Sequence, residues 1–378
     1  MAYYSIFPQK DTTIYSNPDR DTLNTGNDEI LELTKEIGST SNIYYPSRIL
    51  IQFSNSDIQT AISKANNFTS SLQLFSTEHK NLTSTQDIKI HPIYRTWNEG
   101  TGRYSNYPSS SNGCSWLYKD NSTLKTLWLT SNFPNGTTGS INSPHLTTGG
   151  GEWYTGSGFE VNQNLNTNTL LDINADVTPI VQKYSASIFT STSYPIGIPN
   201  YGFILKYSDT IEADISSSNG TLNYFSVDTH TIFPPKLTFK WDDSNHPGAL
   251  VYPLKTSGEL NVSLYKNKDK YNVDEEATIR LNVRDKYPTR TFTTSSNYLN
   301  PGYFTTSSYY SIRDAHTEEI IIPFDTDNTK LSSDDKGMYF KIFMNGLQPE
   351  RYYRLLFKHI NNDGIEIFDN DYHFKVVR

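Results

Sequence analysis

The feature that most constrains this fold is a succession of short segments in which every second side chain is apolar. In two of them, the pairs Ile88 and Ile90, and Phe239 and Trp241, each share one side of a strand by this period of two. Gly, Pro, Asn, Asp or Ser bound such segments along the whole chain. The pattern predicts antiparallel sheets with one buried face, and therefore an all-β fold.

Two short stretches predict helices instead. Residues 56–65 place Ile58 and Ile62 four positions apart after capping Ser and Asp residues. Residues 177–184 follow Asp176 and carry Pro179, which suits a first helical turn. We expect both helices to be small additions to a β fold.

The length of 378 residues is enough for two domains, each with its own core. Residues 242–260 hold two prolines and two glycines without a sustained period, which predicts a boundary. We expect a first domain at 1–245, a linker at 246–257 and a second domain at 258–378. The six or seven short strands of the second domain are typical of an immunoglobulin-like β-sandwich.

Composition and charge exclude several classes of function. The net charge is −8 with no basic run, so the chain would repel nucleic acid. No apolar stretch reaches the roughly 20 residues that span a bilayer, so we expect no membrane partner. The one cysteine, Cys114, has no His or Cys at a metal-ligand spacing, which favours a small buried filler over a catalytic thiol.

The start of the sequence suggests where the chain works. Its Tyr, Ser, Thr and Asn content is typical of extracellular sandwiches, yet the first residues lack the basic and apolar regions of a secretion signal. We therefore expect a protein that folds in a host cytoplasm and reaches the outside as part of a particle released by lysis.

A series of motifs in the first domain resembles the DNRLRE family of disaggregatase-related jelly-roll modules. They are Asp11-Thr-Thr-Ile14, Asn24-x-Gly26, Arg48-Ile-Leu-Ile-Gln-Phe53, Ile93-x-x-x-Trp97-x-Glu-Gly100, Gly113-x-Ser-Trp116, Leu171-Asp-x-x-x-Asp-Val177, Gly202-Phe-x-Leu205 and Pro235-x-Leu-x-Phe-x-Trp241. Their order covers about two thirds of the chain and departs from the family in the long insert after Trp128. The resemblance implies a jelly-roll β-sandwich related in shape to carbohydrate-binding modules, without catalysis.

Two features of the second domain carry further resemblances. Leu347-x-Pro349-x-x-x-Tyr353 resembles the tyrosine corner of fibronectin III and related sandwiches, in which the tyrosine hydroxyl bonds back to the chain. The carboxyl end, including Phe374-Lys-Val-Val-Arg378, resembles virion structural proteins of marine tailed phages. That last resemblance implies a virion component. The first-domain motifs and the tyrosine corner together imply a jelly-roll sandwich followed by an immunoglobulin-like one.

Calcium is the one cofactor that the jelly-roll resemblance suggests, since such modules hold it at their sheet ends through oxygen ligands. The candidate ligands are Asp11, Asp172, Asp176 and Asp242. The same four residues also suit turns and helix caps, and that structural role is the alternative.

Five aromatic residues are candidates for a carbohydrate platform or a protein interface. They are Trp97, Tyr104, Tyr107, Trp116 and Trp128. Tyr and Trp also fill sandwich cores, which is the alternative role. The long excursion between residues 104 and 158 would then be held in place by its tryptophans.

No catalytic constellation is present in the sequence. There is no Gly-x-Ser-x-Gly motif, the histidines form no zinc-binding pair, and nothing selects two carboxylates among Glu99, Glu152 and Glu160. We therefore expect a non-enzymatic virion protein of the neck, tail, baseplate or capsid surface, with other virion proteins and its own copies as partners. The alternative is an adhesion module that binds a host surface polysaccharide.

Overall fold

The computed structural model describes most of the chain. The described residues are 2–39, 42–65, 67–83, 85–105, 110, 112–122, 124–128, 137–139, 149–188, 197–246, 259–265, 267–287, 302–361 and 364–378. Strands predominate in them, so the predicted all-β sandwich class is confirmed. None of the helices in these ranges is long and apolar enough to cross a membrane.

The chain divides into two compact units. The N-terminal unit comprises Ile6–Lys64 and Thr69–Thr238, and the C-terminal unit comprises Met1–Ser5, Ala65–Phe68 and Phe239–Arg378. Of the predicted linker, 246–257, the residues from 247 onward lie outside the described ones. The predicted boundaries at 245 and 258 stay predictions.

Sixteen strands are described up to residue 241. They are β1 (Ala2–Ile6), β2 (Pro8–Tyr15), β3 (Ile30–Ile37), β4 (Tyr44–Phe53), β5 (Thr69–Leu74), β6 (Ser76–Lys80), β7 (Thr85–Pro92), β8 (Tyr118–Asp120), β9 (Thr126–Leu127), β10 (Thr137–Gly139), β11 (Glu152–Tyr154), β12 (Val161–Asn166), β13 (Ile173–Asp176), β14 (Phe203–Tyr207), β15 (Gly220–Phe225) and β16 (Lys236–Trp241).

An eight-stranded sheet is the main element among these strands. Its order is β12-β7-β14-β4-β3-β15-β6, with β2 paired to β4, and each of these pairs is antiparallel. Within the N-terminal unit, β13 also pairs antiparallel with β5, and β8-β9 and β10-β11 form two small ribbons. The alternation predicted from the sequence is present, because Ile88 and Ile90 of β7 are both buried.

Three α helices are found in the described part of the chain. They are α1 (Asn55–Ser63), α2 (Thr178–Ile188) and α3 (Asp209–Ala213). The first two confirm the helices predicted at 56–65 and 177–184, within a few residues at their ends. The third was not predicted, because five residues show no usable helical period.

The C-terminal unit contains nine further strands. They are β17 (Leu260–Tyr265), β18 (Lys270–Asn272), β19 (Glu276–Asp285), β20 (Ser308–Asp314), β21 (Ile320–Ile322), β22 (Ser332–Asp334), β23 (Gly337–Phe343), β24 (Tyr352–Asn361) and β25 (Gly364–Val377). One sheet has the order β17-β19-β23-β22, and the other has the order β18-β25-β24-β20-β21. Their buried side chains, among them Ile279, Phe340 and Phe357, form one apolar core.

The predicted tyrosine corner is confirmed in this unit. The Tyr353 hydroxyl donates a hydrogen bond to the Gln348 carbonyl oxygen at 2.8 Å. Tyr353 and Leu347 are both buried in the core of the unit. The bond ties the start of β24 to the loop that follows the 3₁₀ turn at Met344–Gly346.

Candidate functional site

The four candidate calcium ligands accept hydrogen bonds from different partners. Asp172 Oδ1 accepts from the Ser76 N–H at 2.7 Å and from its hydroxyl at 2.8 Å. Asp176 Oδ1 accepts from the N–H of Thr178, where α2 begins, and Asp242 Oδ1 accepts from the N–H of Ser244. The Asp176 and Asp242 bonds are capping and turn contacts, whereas the Asp172 bonds join segments 96 residues apart.

Asp11, the fourth candidate, is almost completely buried. Its Oδ2 accepts from the Val227 N–H at 2.7 Å, and its own N–H donates to Glu99 Oε1 at 2.8 Å. Within the described ranges, no group of three or more His, Cys, Asp or Glu side chains is arranged to hold a metal ion. Asp176 and Asp242 thus act in a cap and a turn, whereas Asp11 and Asp172 accept hydrogen bonds from distant segments, and calcium binding at these residues stays a prediction.

The three candidate tryptophans lie in the interior of the N-terminal unit. Trp97, Trp116 and Trp128 are at most 3% exposed and belong to one apolar cluster that also contains Trp153. The indole N–H of Trp97 donates to the Tyr201 carbonyl, and that of Trp128 donates to the Ser115 carbonyl. This corrects the expectation of a carbohydrate platform at these three rings, since a buried ring offers no face to a sugar.

The remaining two aromatic candidates differ from the tryptophans. Tyr104 is 39% exposed, and its ring packs against Tyr15 with 5.4 Å between the ring centroids. The Arg20 guanidinium lies 4.4 Å from the centre of the Tyr104 ring. Tyr107 lies outside the described residues.

An asparagine joins three of the sequence motifs. The Asn24 side-chain amide donates to the carbonyls of Glu99 at 2.6 Å and Cys114 at 2.8 Å, and its Oδ1 accepts from the Gly102 N–H at 2.7 Å. A Cβ atom on Gly102 would lie 2.2 Å from the Asn24 carbonyl oxygen, so only glycine fits there. This packing fixes the loop that continues to Arg103 and Tyr104.

That loop forms one wall of an open cleft of about 260 Å³. We call it the carboxylate cleft, and its lining comprises Tyr15, Asn27, Asp28, Glu29, Ile30, Glu32, Arg103 and Tyr104. Asp28 Oδ2 accepts from the Tyr104 N–H at 2.7 Å, and Glu32 Oε2 accepts from the Tyr15 hydroxyl at 2.6 Å. These two bonds hold the carboxyl groups beside the two rings.

Two carboxyl groups of the carboxylate cleft have raised pKa values. Burial raises the pKa of Asp28 to about 6; the carboxyls of Glu32 and Glu29 act in the same direction, while the Tyr104 N–H and Arg103 oppose them. Burial also raises the pKa of Glu32, against the hydrogen bond from Tyr15. Arg103 is the one cation among the lining residues, while Arg20 and Lys80 act on Glu32 from outside the lining and His230 lies 3.8 Å from Glu29.

A second pair of acids lies elsewhere in the N-terminal unit. Burial raises the pKa of Glu99 to about 7, opposed by the hydrogen bond from the Asp11 N–H and by Lys10, and reinforced by Asp228. Burial raises the pKa of Asp11 as well. The other two glutamates considered from the sequence are paired, Glu152 with Arg95 at 2.9 Å and Glu160 with Lys89 at 2.5 Å.

No family model and no curated protein matches this chain. The likeness to disaggregatase-related modules and to phage virion proteins therefore stays a prediction.

Sequence reasoning found only Tyr104 among the residues of the carboxylate cleft. The signal that it missed is the acidic run Asp28-Glu29-x-x-Glu32, which directly follows the Asn24-x-Gly26 turn and enters β3. Acids at the start of an outward-facing strand look like ordinary solvated residues. Only the loop that carries Arg103 and Tyr104, more than seventy residues away, turns this run into a cleft.

Proposed function

We propose that the protein is a non-enzymatic structural component of a tailed-phage virion, which acts through contacts with other virion proteins and with copies of itself. The observation that carries the protein-contact part is an apolar sheet edge on β25. Ile365 is 67% exposed and Ile367 is 58% exposed, and they are two positions apart in the strand, so they project from the same face.

The backbone at these isoleucines lies at the edge of the described sheet. Residues 364–368 of β25 pair with β24, whereas β18 pairs with β25 only at residues 375–377. An exposed apolar edge strand is a template for another chain, and proteins leave one uncovered at a risk of aggregation. A partner that covers this edge explains why the sequence keeps two isoleucines there.

The placement in a virion is supported by the sequence resemblance and by a scaffold that suits assembly. Rigid sandwiches display edges and loops without internal rearrangement. Side chains that could bind a sugar or react with a substrate are also buried in the core, since the candidate tryptophans and Cys114 are almost inaccessible to solvent. Among the described candidates, the glycan-binding alternative retains the half-exposed ring of Tyr104 and not the three buried tryptophans.

The test is whether particles contain the chain and whether the β25 edge holds it there. We expect mass spectrometry and cryo-electron microscopy of purified particles from the source lysate to find it at an ordered position. We expect Ile367→Lys to fold normally and to lose incorporation, because a charge on the edge opposes pairing. Leu170→Lys is the matched control, since Leu170 is 83% exposed in the loop between β12 and β13.

Two results would contradict the proposal. Purified particles that lack the chain would remove the virion assignment. Equal incorporation of Ile367→Lys and Leu170→Lys would remove the β25 edge as the contact while leaving the virion assignment in place.

A further inference from the structure

The carboxylate cleft has the size of a single side chain. Its volume of about 260 Å³ lies below the roughly 300–1,000 Å³ of pockets that enclose drug-sized molecules. The cleft is open to solvent and has Tyr15 and Tyr104 on one wall. An occupant is therefore one extended group that enters from the surface rather than an oligosaccharide laid along it.

The charge of the lining determines the chemistry of that group. Asp28, Glu29 and Glu32 present carboxyl groups, and Arg103 is the one cation that the lining contributes. Burial raises the pKa of Asp28 and of Glu32; repulsion from Glu32 and Glu29 adds to the shift at Asp28, and repulsion from Glu36 adds to the shift at Glu32. A positively charged occupant relieves this repulsion, whereas an anion would increase it.

The aromatic wall favours an organic cation over a bare metal ion. The Tyr104 ring already accepts a cation, because Arg20 lies 4.4 Å from its centre while pairing with Glu36 at 2.6 Å. An alkyl stem packs on a tyrosine ring while its charged head reaches a carboxylate. Lysine and arginine side chains have this construction.

We propose that the carboxylate cleft is a docking site for one lysine or arginine side chain of a partner protein. The inference rests on the proposed function in protein assembly and adds to it a second contact surface, with a partner of stated charge. Asp28 and Glu32 receive the cationic head, and Tyr104 packs against the aliphatic stem. The complementarity of charge gives the contact its specificity.

The experiment uses the full-length protein and short peptides as probes. Acetyl-Gly-Lys-Gly-amide and its arginine counterpart are titrated by saturation-transfer difference NMR, with the norleucine peptide, which has the alkyl chain of lysine without the ammonium group, as the uncharged control. We expect the two basic peptides to bind with dissociation constants of about 1 mM, an affinity suited to one side chain, and norleucine to bind at least tenfold more weakly.

Substitutions in the carboxylate cleft test whether the basic peptides bind there. We expect Asp28→Asn and Glu32→Gln each to weaken lysine binding about tenfold or more, since each removes one charge while an acceptor oxygen remains for Tyr104 or Tyr15. Glu259→Gln is the matched control, because Glu259 is a surface carboxylate of the C-terminal unit. Thermal melts confirm that each variant is folded.

Several outcomes would overturn the inference. They are equal binding of lysine and norleucine, an equal loss in Glu259→Gln, or saturation by glucosamine oligomers while the basic peptides fail. If particles contain the chain but the lysine peptide does not bind to it, the cleft proposal is refuted and the virion proposal stands. If the lysine peptide binds in a manner that depends on Asp28 but particles lack the chain, the cleft proposal stands and the virion proposal is refuted.

Discussion

Arg48 and Glu212 form a two-point ion pair inside the N-terminal unit. Arg48 Nη2 lies 2.7 Å from Glu212 Oε2, Arg48 Nε lies 3.1 Å from Oε1, and both side chains are fully buried. The guanidinium lies 4.4 Å from the Trp116 ring centre and 5.0 Å from that of Trp153. Trp116, a candidate for a sugar-binding surface, instead packs with Trp153 against an internal charge.

Removal of one partner of this pair should destabilise the N-terminal unit strongly. Glu212→Ala leaves Arg48 buried without its counter-charge, and such a loss costs roughly 3–5 kcal/mol. The measurement is urea unfolding followed by tryptophan fluorescence. Four of the five tryptophans belong to the cluster around Arg48, so the signal reports on this unit.

The control for this prediction is Glu259→Ala, which breaks an exposed pair with Lys286. Exposed ion pairs contribute little to stability, so we expect an unfolding curve close to that of the wild type. A Glu212→Ala midpoint that coincides with the Glu259→Ala midpoint would show that the buried pair is not a stabilising element.

The tyrosine corner gives a smaller and more local effect. Tyr353→Phe removes the hydroxyl that donates to Gln348 and should lower the free energy of unfolding of the C-terminal unit by about 1 kcal/mol. Tyr352→Phe is the neighbouring control, because that side chain is 49% exposed. Far-UV circular dichroism during urea unfolding measures both, and equal midpoints would refute a stabilising corner.

These contrasting residues show what the sequence can predict. The corner at Tyr353 is a contact over five residues with a spacing of its own, so the pattern contains the geometry. The alternation of strands is equally local, which is why the all-β class and two helices followed from the sequence.

The burial of Trp116 and the carboxylate cleft follow from contacts between distant segments. Arg48 meets Glu212 across 164 residues, and Asp28 meets Tyr104 across 76. Neither the period nor the composition of a sequence predicts contacts between segments so far apart. A charged residue inside a core is also an exception to the rule that charged side chains are exposed. Sequence reasoning therefore found Tyr104 as a candidate without the acids that give it a function.

The raised pKa of Glu99 predicts a pH dependence of stability. Its folded-state value of about 7 exceeds its ordinary value of 4.5, so the folded protein holds this proton more tightly than the unfolded chain. The resulting stabilisation is complete below about 4.5 and is lost as pH rises towards 7. Glu99→Gln keeps an acceptor oxygen for the Asp11 N–H and should remove this part of the pH dependence.

The measurement is the urea midpoint of the N-terminal unit at steps from pH 5 to pH 8. His91 contributes with the opposite sign, because burial and Lys206 lower its pKa to about 4 and stability falls as pH drops below its ordinary range. The comparison is therefore between variants. We expect Glu99→Gln to gain stability over the wild type at pH 8 and not at pH 5; parallel curves would contradict the assignment.

The single cysteine offers an independent measure of how firmly the core is closed. Cys114 is completely buried beside Trp97 and Trp116, and burial raises the pKa of its thiol, so little reactive thiolate forms. At a typical stability of 5 kcal/mol or more, fewer than about one molecule in 10³ is open at any moment. We expect a disulfide reagent to label the native protein at least about 10³-fold more slowly than the denatured protein.

The same measurement connects the cysteine to the buried ion pair. Glu212→Ala destabilises the unit that contains Cys114, so a loss of about 3 kcal/mol should accelerate labelling roughly 100-fold if labelling proceeds through unfolding of that unit. Tyr353→Phe, in the other unit, should leave the rate unchanged, and Cys114→Ser should give no signal. Labelling of the native wild type within seconds, or an equal acceleration in both variants, would show that Cys114 is reached by a local opening independent of the Arg48 core.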